Sequence, residues 1–492
     1  MRGRLTFASP ALESPSLAPF LSSAGRPGDH NLDLQESIAP PMAAVPDVTA
    51  ALARFIVRSR YEDIPDKTRN DARRALVNSM AATLGGCRND VIVRLTNSLL
   101  PFAGAGPASL IGHDRKMDVP NAAFLNGASA GVLDFCDTHF PTVMHPSATV
   151  IGALYAFAGL RKLSGRELLH AFILGFEAQA RVGNSVTPHH YAHGYHITST
   201  CGVFGSATAI GKLLGQDERH MIWTIGNAST QSAGMVKACG FMSKSIGVGN
   251  AAKNGLLAAS YAEQDVDAPP QSLEGKFGFC AVMAPEPKYG AITDGLGEAW
   301  ELDRNAFKAY PAGIVIHPAI DACLELRGRS ITADRIAQVD VRGNPLMGNL
   351  TNRPVVETER EAVVSVQHSV AVAFIDGGVG IQQYWTDRVA DPQVIALRDK
   401  VKFHSDPSLP VGPIRMTLRT TDGALHEAKV DHWRGSLERP LSDDDLEEKL
   451  AELAAIGAPH CDARRLADML WRIEDVDDVR QIIAATTPSG KV

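Results

Sequence analysis

The chain is 492 residues long, 45% hydrophobic and 21% charged, with a formal net charge of −7. That length exceeds one ordinary core and predicts two or three domains, each able to bury an interior. The mildly acidic balance excludes nucleic acid as a main partner, because a phosphate backbone needs a basic face. No apolar run reaches the ~18 residues of a membrane span. The seven cysteines are scattered, odd in number and without a C-x-x-C pair, which fits a reducing cytoplasm better than a disulfide framework.

Residues 1–45 read apart from the rest. They are rich in Pro, Ser and Gly and lack a sustained apolar period, which predicts a disordered tail. The apolar run at 17–21 is short and broken by Pro19, so it is no signal peptide. Arg2, Arg4 and Arg26 leave a transit peptide open, against Glu13, Asp29, Asp33 and Glu36. Met42 is an alternative start, because ordered sequence begins at Val45-Pro46-Asp47-Val48.

From 46 to about 303 the pattern is helical. Helices are predicted over 48–57, from Pro65-Asp66 to Gly85-Gly86, and over 121–132, 148–160, 167–182, 203–214 and 251–262. Aromatics are few (6%) and glycines many (43), so these helices pack closely and depend on tertiary contacts. After about Arg304 the character changes. Residues 336–341 alternate like a strand, and strands at 413–419 and 424–430 flank the turn Thr420-Thr421-Asp422-Gly423. With a helix over 319–326, this predicts a smaller α+β domain over 304–441. Residues 442–492 turn helical again, with an acidic first turn from Asp443.

Several motifs carry chemistry or imitate it. Gly127-Ala128-Ser129-Ala130-Gly131 matches the G-x-S-x-G of a nucleophile elbow, but the segment before it reads as helix, so close packing is the better account. His189, His190, His193 and His196 crowd together without an acidic ligand or the H-E-x-x-H spacing; a loop placing one or two histidines in a pocket is expected, and no metal. The segment Leu133-Asp134-Phe135-Cys136-Asp137-Thr138-His139, continuing to His145-Pro146-Ser147, packs carboxylates, a hydroxyl and two histidines into a loop suited to acid–base work. Its plainer reading is capping, with Asp137 or Thr138 as cap and Pro146 opening a helix. Ser243-Lys244-Ser245-Ile246-Gly247-Val248-Gly249-Asn250, leading into the helix from Ala251, favours an anion. Lys308, with Tyr310 and His317 close behind, lies where the second domain starts.

In order and spacing these segments resemble the MmgE/PrpD family, which includes 2-methylcitrate dehydratase, cis-aconitate decarboxylase and iminodisuccinate epimerase. The resemblance covers nearly the whole chain from about Val48. It implies a mainly α fold: a large all-α helical domain formed by both chain ends (46–303 and 442–492) with an inserted smaller α+β lid domain (304–441). It also implies a homodimer, no organic cofactor and no required metal. Carried over by motif, the pocket residues are Asp134, Thr138, His145, His196, Lys244 and Lys308. By their chemistry Lys244, Lys308 and His196 would bind carboxylates, His145, oriented by Asp134, would carry a proton, and one of the crowded lysines could serve as base; Asp134, Thr138, His145, His196 and Lys308 are the catalytic candidates, and Lys244, Tyr310 and His317 the substrate-binding ones. The substrate class is then a small di- or tricarboxylate.

Three departures stand out. Cys136 replaces an acidic residue common in relatives, Gly247 replaces a histidine three places after the lysine, and the spacing from Thr138 to His145 reads one residue longer. They argue against a straightforward copy of either the dehydratase or the decarboxylase and leave proton abstraction and return at an α-carbon as the common denominator, so an epimerase (isomerase) or a dehydratase is preferred, with decarboxylation as the alternative. A catalytically silent homologue that only binds a polycarboxylate is the reading of another class.

Overall fold

In the computed structural model of the chain, residues 47–487 are described; the tail and alternative-start expectations fall outside them. The predicted helical periods become α1 (Val48–Arg58), α2 (Asp66–Gly86), α3 (Val119–Val132), α4 (Pro146–Phe157), α5 (Gly165–Val186) and α6 (Ile197–Leu214); α7 (Glu218–Ser229), for which no helix was predicted, precedes α8 (Ser243–Glu263), which contains the predicted period 251–262. Their ends follow local chemistry. Asp118 accepts the Asn121 N–H at the start of α3, and Ser164 and Glu167 form a reciprocal cap on α5. α6 stops at Gly215, whose φ of +73° lies in the left-handed region that favours glycine.

Glycine lets these axes approach. α8 packs on α6 and α3, α3 packs on α4, and α5 packs on α6. A Cβ at Gly152 of α4 would stand 2.7 Å from the Gly127 backbone of α3. One at Gly175 would stand 2.6 Å from the Gly205 carbonyl oxygen. Gly152→Ala is therefore expected to destabilise the fold by about 1–3 kcal/mol through overpacking, read as a lower urea midpoint at unchanged slope. The same contacts explain the G-x-S-x-G match. Ser129 lies mid-helix and donates to the Leu125 carbonyl oxygen at 2.8 Å, so no strained turn presents it.

Two short strands follow that periodicity could not reveal. β1 (Asp137–His139) pairs antiparallel with β2 (Asn305–Phe307), where a loop was expected. Further on come α9 (His317–Gly328), β3 (Ile336–Gly343), α10 (Val366–Asp376), β4 (Val401–Ser405), β5 (Ile414–Thr420) and β6 (Leu425–Val430). The sheet order is β4-β3-β5-β6, parallel only between β3 and β4. β5 and β6 are the expected hairpin, turning at Gly423 with φ +87°. β4 was not anticipated, because Val401-Lys402-Phe403-His404-Ser405 is a mixed edge strand. α9 and α10 pack together and against this sheet.

One apolar cluster gathers residues from 48 to 307, Ile381, and residues from 441 to 483; a second gathers other residues between 310 and 433. The later segment enters the first cluster through α11 (Asp443–Gly457), which lies along α2 and starts on a Ser442–Asp445 reciprocal cap. Among the described residues no helix is long and apolar enough to cross a membrane.

Candidate active site

Chemistry collects just beyond α3. Asp134 adopts φ +53° and Val143 φ +55°, both non-glycine residues in the left-handed region, and both line the same cavity. Each such conformation costs on the order of 1–3 kcal/mol and persists where the surroundings over-determine it. The β1–β2 pairing sets Asp137 opposite Phe307 and Thr138 opposite Ala306, which brings Lys308, one residue past β2, beside Asp134. α8 supplies Lys244 from a third direction. The helix begins at Ser243, not at Ala251, so the expected glycine cradle for an anion is not a loop. Gly247 and Gly249 lie inside α8, where a Cβ would stand 2.3 Å from Ser199 Oγ and 2.6 Å from the Phe124 carbonyl oxygen. These two glycines serve packing, and Lys244 alone of that motif lines the cavity.

Three cationic or basic groups meet on one oxygen. Asp134 Oδ1 lies 2.6 Å from Lys244 Nζ, 3.2 Å from Lys308 Nζ and 3.5 Å from His145 Nε2. Lys308 Nζ also donates to the Asp134 main-chain oxygen at 2.9 Å. His145 Nδ1 is 2.7 Å from the Asp137 carbonyl oxygen, which can only accept; Nδ1 therefore carries hydrogen, and Nε2 is the working nitrogen. His196, at the N-terminus of α6, sets Nδ1 2.7 Å from Ser199 Oγ. The cavity has about 600 Å³ of empty space, its open mouth included, and Val143, Tyr191, Cys239 and Thr351 help line it.

Burial dominates the electrostatics, and charge decides its outcome. Burial would raise the Asp134 carboxyl, but Lys244 and Lys308 outweigh it and hold the group well below the usual carboxylate range. Lys244 is desolvated as well, yet Asp134 lifts it above an ordinary lysine. At Lys308, burial outweighs Asp134, with Lys244 adding to it, so this ammonium is the readier proton donor. Burial and the Lys308 charge depress His145 well below its ordinary value; burial and Lys244 drive His196 down to about 3. Both rings are neutral at pH 7 in the free protein. Since kcat/KM reports free-enzyme ionisations, its pH profile is expected to lack a histidine limb near pH 6.5. Steady-state rates from pH 5 to 8 check this.

Asp134, His145, His196, Lys244 and Lys308 are thus brought together. Thr138, Tyr310 and His317 do not line the cavity. Thr138 is buried in β1 with Oγ1 3.3 Å from His145 Nδ1. Tyr310 donates its hydroxyl to Asp321 at 2.6 Å, and its ring meets that of His317, which is fully buried. Their segment instead presents Gly313, Ile314 and Val315 to the cavity. Asp137 acts structurally: it accepts from the Ser147 N–H and hydroxyl at the start of α4 and from Asn305 Nδ2 at 2.9 Å, close to the capping reading of its motif. Of the four clustered histidines only His196 reaches the cavity. His189 and His193 stack at the surface, and His190 is buried against Thr200 Oγ1 at 2.7 Å.

The chain belongs to the MmgE/PrpD family: the MmgE/PrpD N-terminal domain matches residues 50–291 and the MmgE/PrpD C-terminal domain residues 310–475. It is similar to the cis-aconitate decarboxylase of Mus musculus, 27% identical over 453 residues that cover 88% of this chain and 91% of that protein. The Homo sapiens cis-aconitate decarboxylase is likewise 27% identical, over 448 residues, 88% of this chain and 92% of that one. The Aspergillus terreus cis-aconitate decarboxylase is 24% identical over 470 residues, 89% and 95% of the two chains.

Proposed function

We propose that the chain is a decarboxylase of a small unsaturated tricarboxylate of the cis-aconitate type. The observation that carries the reading is the convergence of Lys244, Lys308 and His145 on one oxygen of Asp134 inside a buried cavity. Full-length similarity to cis-aconitate decarboxylases supports it. Three carboxylates bring three negative charges, and such a ligand needs locally concentrated cations even in an acidic chain.

In this reading Lys244 and His196 hold the carboxylates that remain. Loss of the third as CO2 breaks a carbon–carbon bond and leaves its electron pair on an allylic carbon. The pair is conjugated with a remaining carboxylate, and Lys308 stabilises the charge that develops there. The double bond shifts as a proton adds at the far allylic carbon. His145 Nε2 delivers that proton: binding an anion raises the affinity of the imidazole for a proton, and the Asp134 carboxylate, 3.5 Å from the same nitrogen, favours its protonated form. No redox change is involved.

Two of the departures that pointed to an epimerase or dehydratase, Cys136 and Gly247, lie away from the cavity lining, whereas the longer 138–145 spacing includes Val143, which is part of it. The Cys136 thiol turns to Asp137 Oδ1 at 3.3 Å, and Gly247 makes room for Ser199, the partner of His196. Neither argues against decarboxylation, and the relatives support that alternative better than the epimerase or dehydratase preference. The test is turnover of cis-aconitate in D2O followed by NMR. Release of CO2 with one deuterium in an unsaturated dicarboxylate is the expected result. Deuterium exchange into a saturated dicarboxylate without CO2 would restore the epimerase, loss of water from a hydroxy-tricarboxylate the dehydratase, and binding without turnover the silent homologue.

A further inference from the structure

Beneath the cavity, and outside its lining, lies a cation that the proposed chemistry does not use. Lys449 sits on α11 among Leu446, Leu450 and Leu453, on the buried face of an amphipathic helix. Its ammonium donates to Asn78 Oδ1 at 2.8 Å, to the Phe135 carbonyl oxygen at 2.7 Å and to the Lys308 carbonyl oxygen at 2.9 Å. It also lies 3.7 Å above the Phe135 ring. All three partners are oxygens that accept only, so each of the three N–H bonds is used; a neutral amine would turn a lone pair toward one of them.

Two of these acceptors belong to the main chain on either side of the site. Phe135 directly follows Asp134, held at its left-handed φ, and the other carbonyl is that of Lys308 itself. One cation therefore ties together the two segments whose side chains meet at Asp134 Oδ1. We infer that Lys449 is a positioning residue that sets the Asp134–Lys308 spacing from behind the site, an inference that rests on the catalytic reading above. Burial pushes its pKa down to about 7; Cys136, Asp137 and Glu452 oppose the fall, and Lys308 adds to it. With its folded pKa below the unfolded value, Lys449 costs stability at low pH, and that cost fades as pH rises from about 7 toward the ordinary lysine value. Below about pH 7 the ammonium is therefore held at a cost to folding.

Lys449→Met keeps the stem and its apolar contacts and removes all three donors, and Lys449→Arg keeps the charge. For Lys449→Met, a cooperative melt is expected, with kcat on cis-aconitate about 10–100-fold lower and KM within about threefold of the parent. Lys449→Arg should recover part of the loss. A crystal structure of Lys449→Met should show Lys308 Nζ moved out of hydrogen-bond reach of Asp134. Wild-type kcat in Lys449→Met, an equal loss in both variants, or an unmoved Lys308–Asp134 pair would each overturn the inference. The crystallographic distance does not depend on turnover: a parent enzyme inactive on cis-aconitate would count against the proposed reaction, whereas an undisturbed pair would count against Lys449.

Discussion

Lys308→Met is expected to lower kcat for cis-aconitate by about 10²–10³-fold, the range for removing one preorganised donor at a developing negative charge. The side chain is 1% exposed, and methionine fills nearly the same volume, so the surrounding core should hold. Lys244 remains 2.6 Å from Asp134 Oδ1, which keeps that carboxylate paired. KM should change much less than kcat, because Lys244 and His196 still meet the carboxylates that stay. Steady-state kinetics beside circular dichroism reads both quantities. A folded Lys308→Met that turns over at half the parental rate would remove Lys308 from the chemistry.

Arg181→Met is expected to cost about 3–5 kcal/mol of stability, the usual consequence of stripping one partner from a buried ion pair. Arg181 and Glu177 are both buried on α5, one turn apart. The guanidinium also donates to the carbonyl oxygens of Asp294 and Ala299, each at 2.8 Å, and to those of Ile292 and Gly295. Glu177 accepts the Glu301 N–H at 2.8 Å, so the pair anchors the whole 292–301 segment that leads into β2. Without the arginine, four carbonyls and a carboxylate each lose a hydrogen bond inside the protein. Equilibrium urea unfolding measures the loss. The double variant Glu177→Leu with Arg181→Met should recover part of it, since no uncompensated charge then remains; a single variant within 1 kcal/mol of the parent would show the pair to be dispensable.

Much of the helical fold was legible from periodicity and punctuation. α2 ends at Gly86 where the Gly-Gly pair was read, Pro146 opens α4, and the Asp-Gly turn joins β5 and β6. The misses have a common cause. β1 and β2 have three residues each, too few to show an alternating pattern, and they pair across more than 160 positions of chain. The start of α8 was missed because Gly247 and Gly249 argue against helix locally, whereas contacts with α3 and α6 outweigh that preference. Cys136 and Gly247 were weighed as functional departures because a linear sequence does not tell which side chains face a cavity. Lys449 left one readable signal, a lysine on the apolar stripe of its helix, yet nothing in the sequence says what such a lysine reaches.

By itself the sequence determined the kind of chain this is: acidic overall, mainly helical with a small sheet, glycine-packed, and carrying Asp134, His145, His196, Lys244 and Lys308 as candidates. These are local or compositional properties, and neighbouring residues suffice to encode them. Only the tertiary structure decided which of the candidates meet. Asp134 Oδ1 gathers groups from positions 145, 244 and 308, while Tyr310 and His317, close to Lys308 in sequence, turn into the second apolar cluster and its surroundings. The physical reason is that side-chain direction at a strand pair or a left-handed residue is set by contacts made far along the chain, at a cost in backbone strain that no local segment would accept alone.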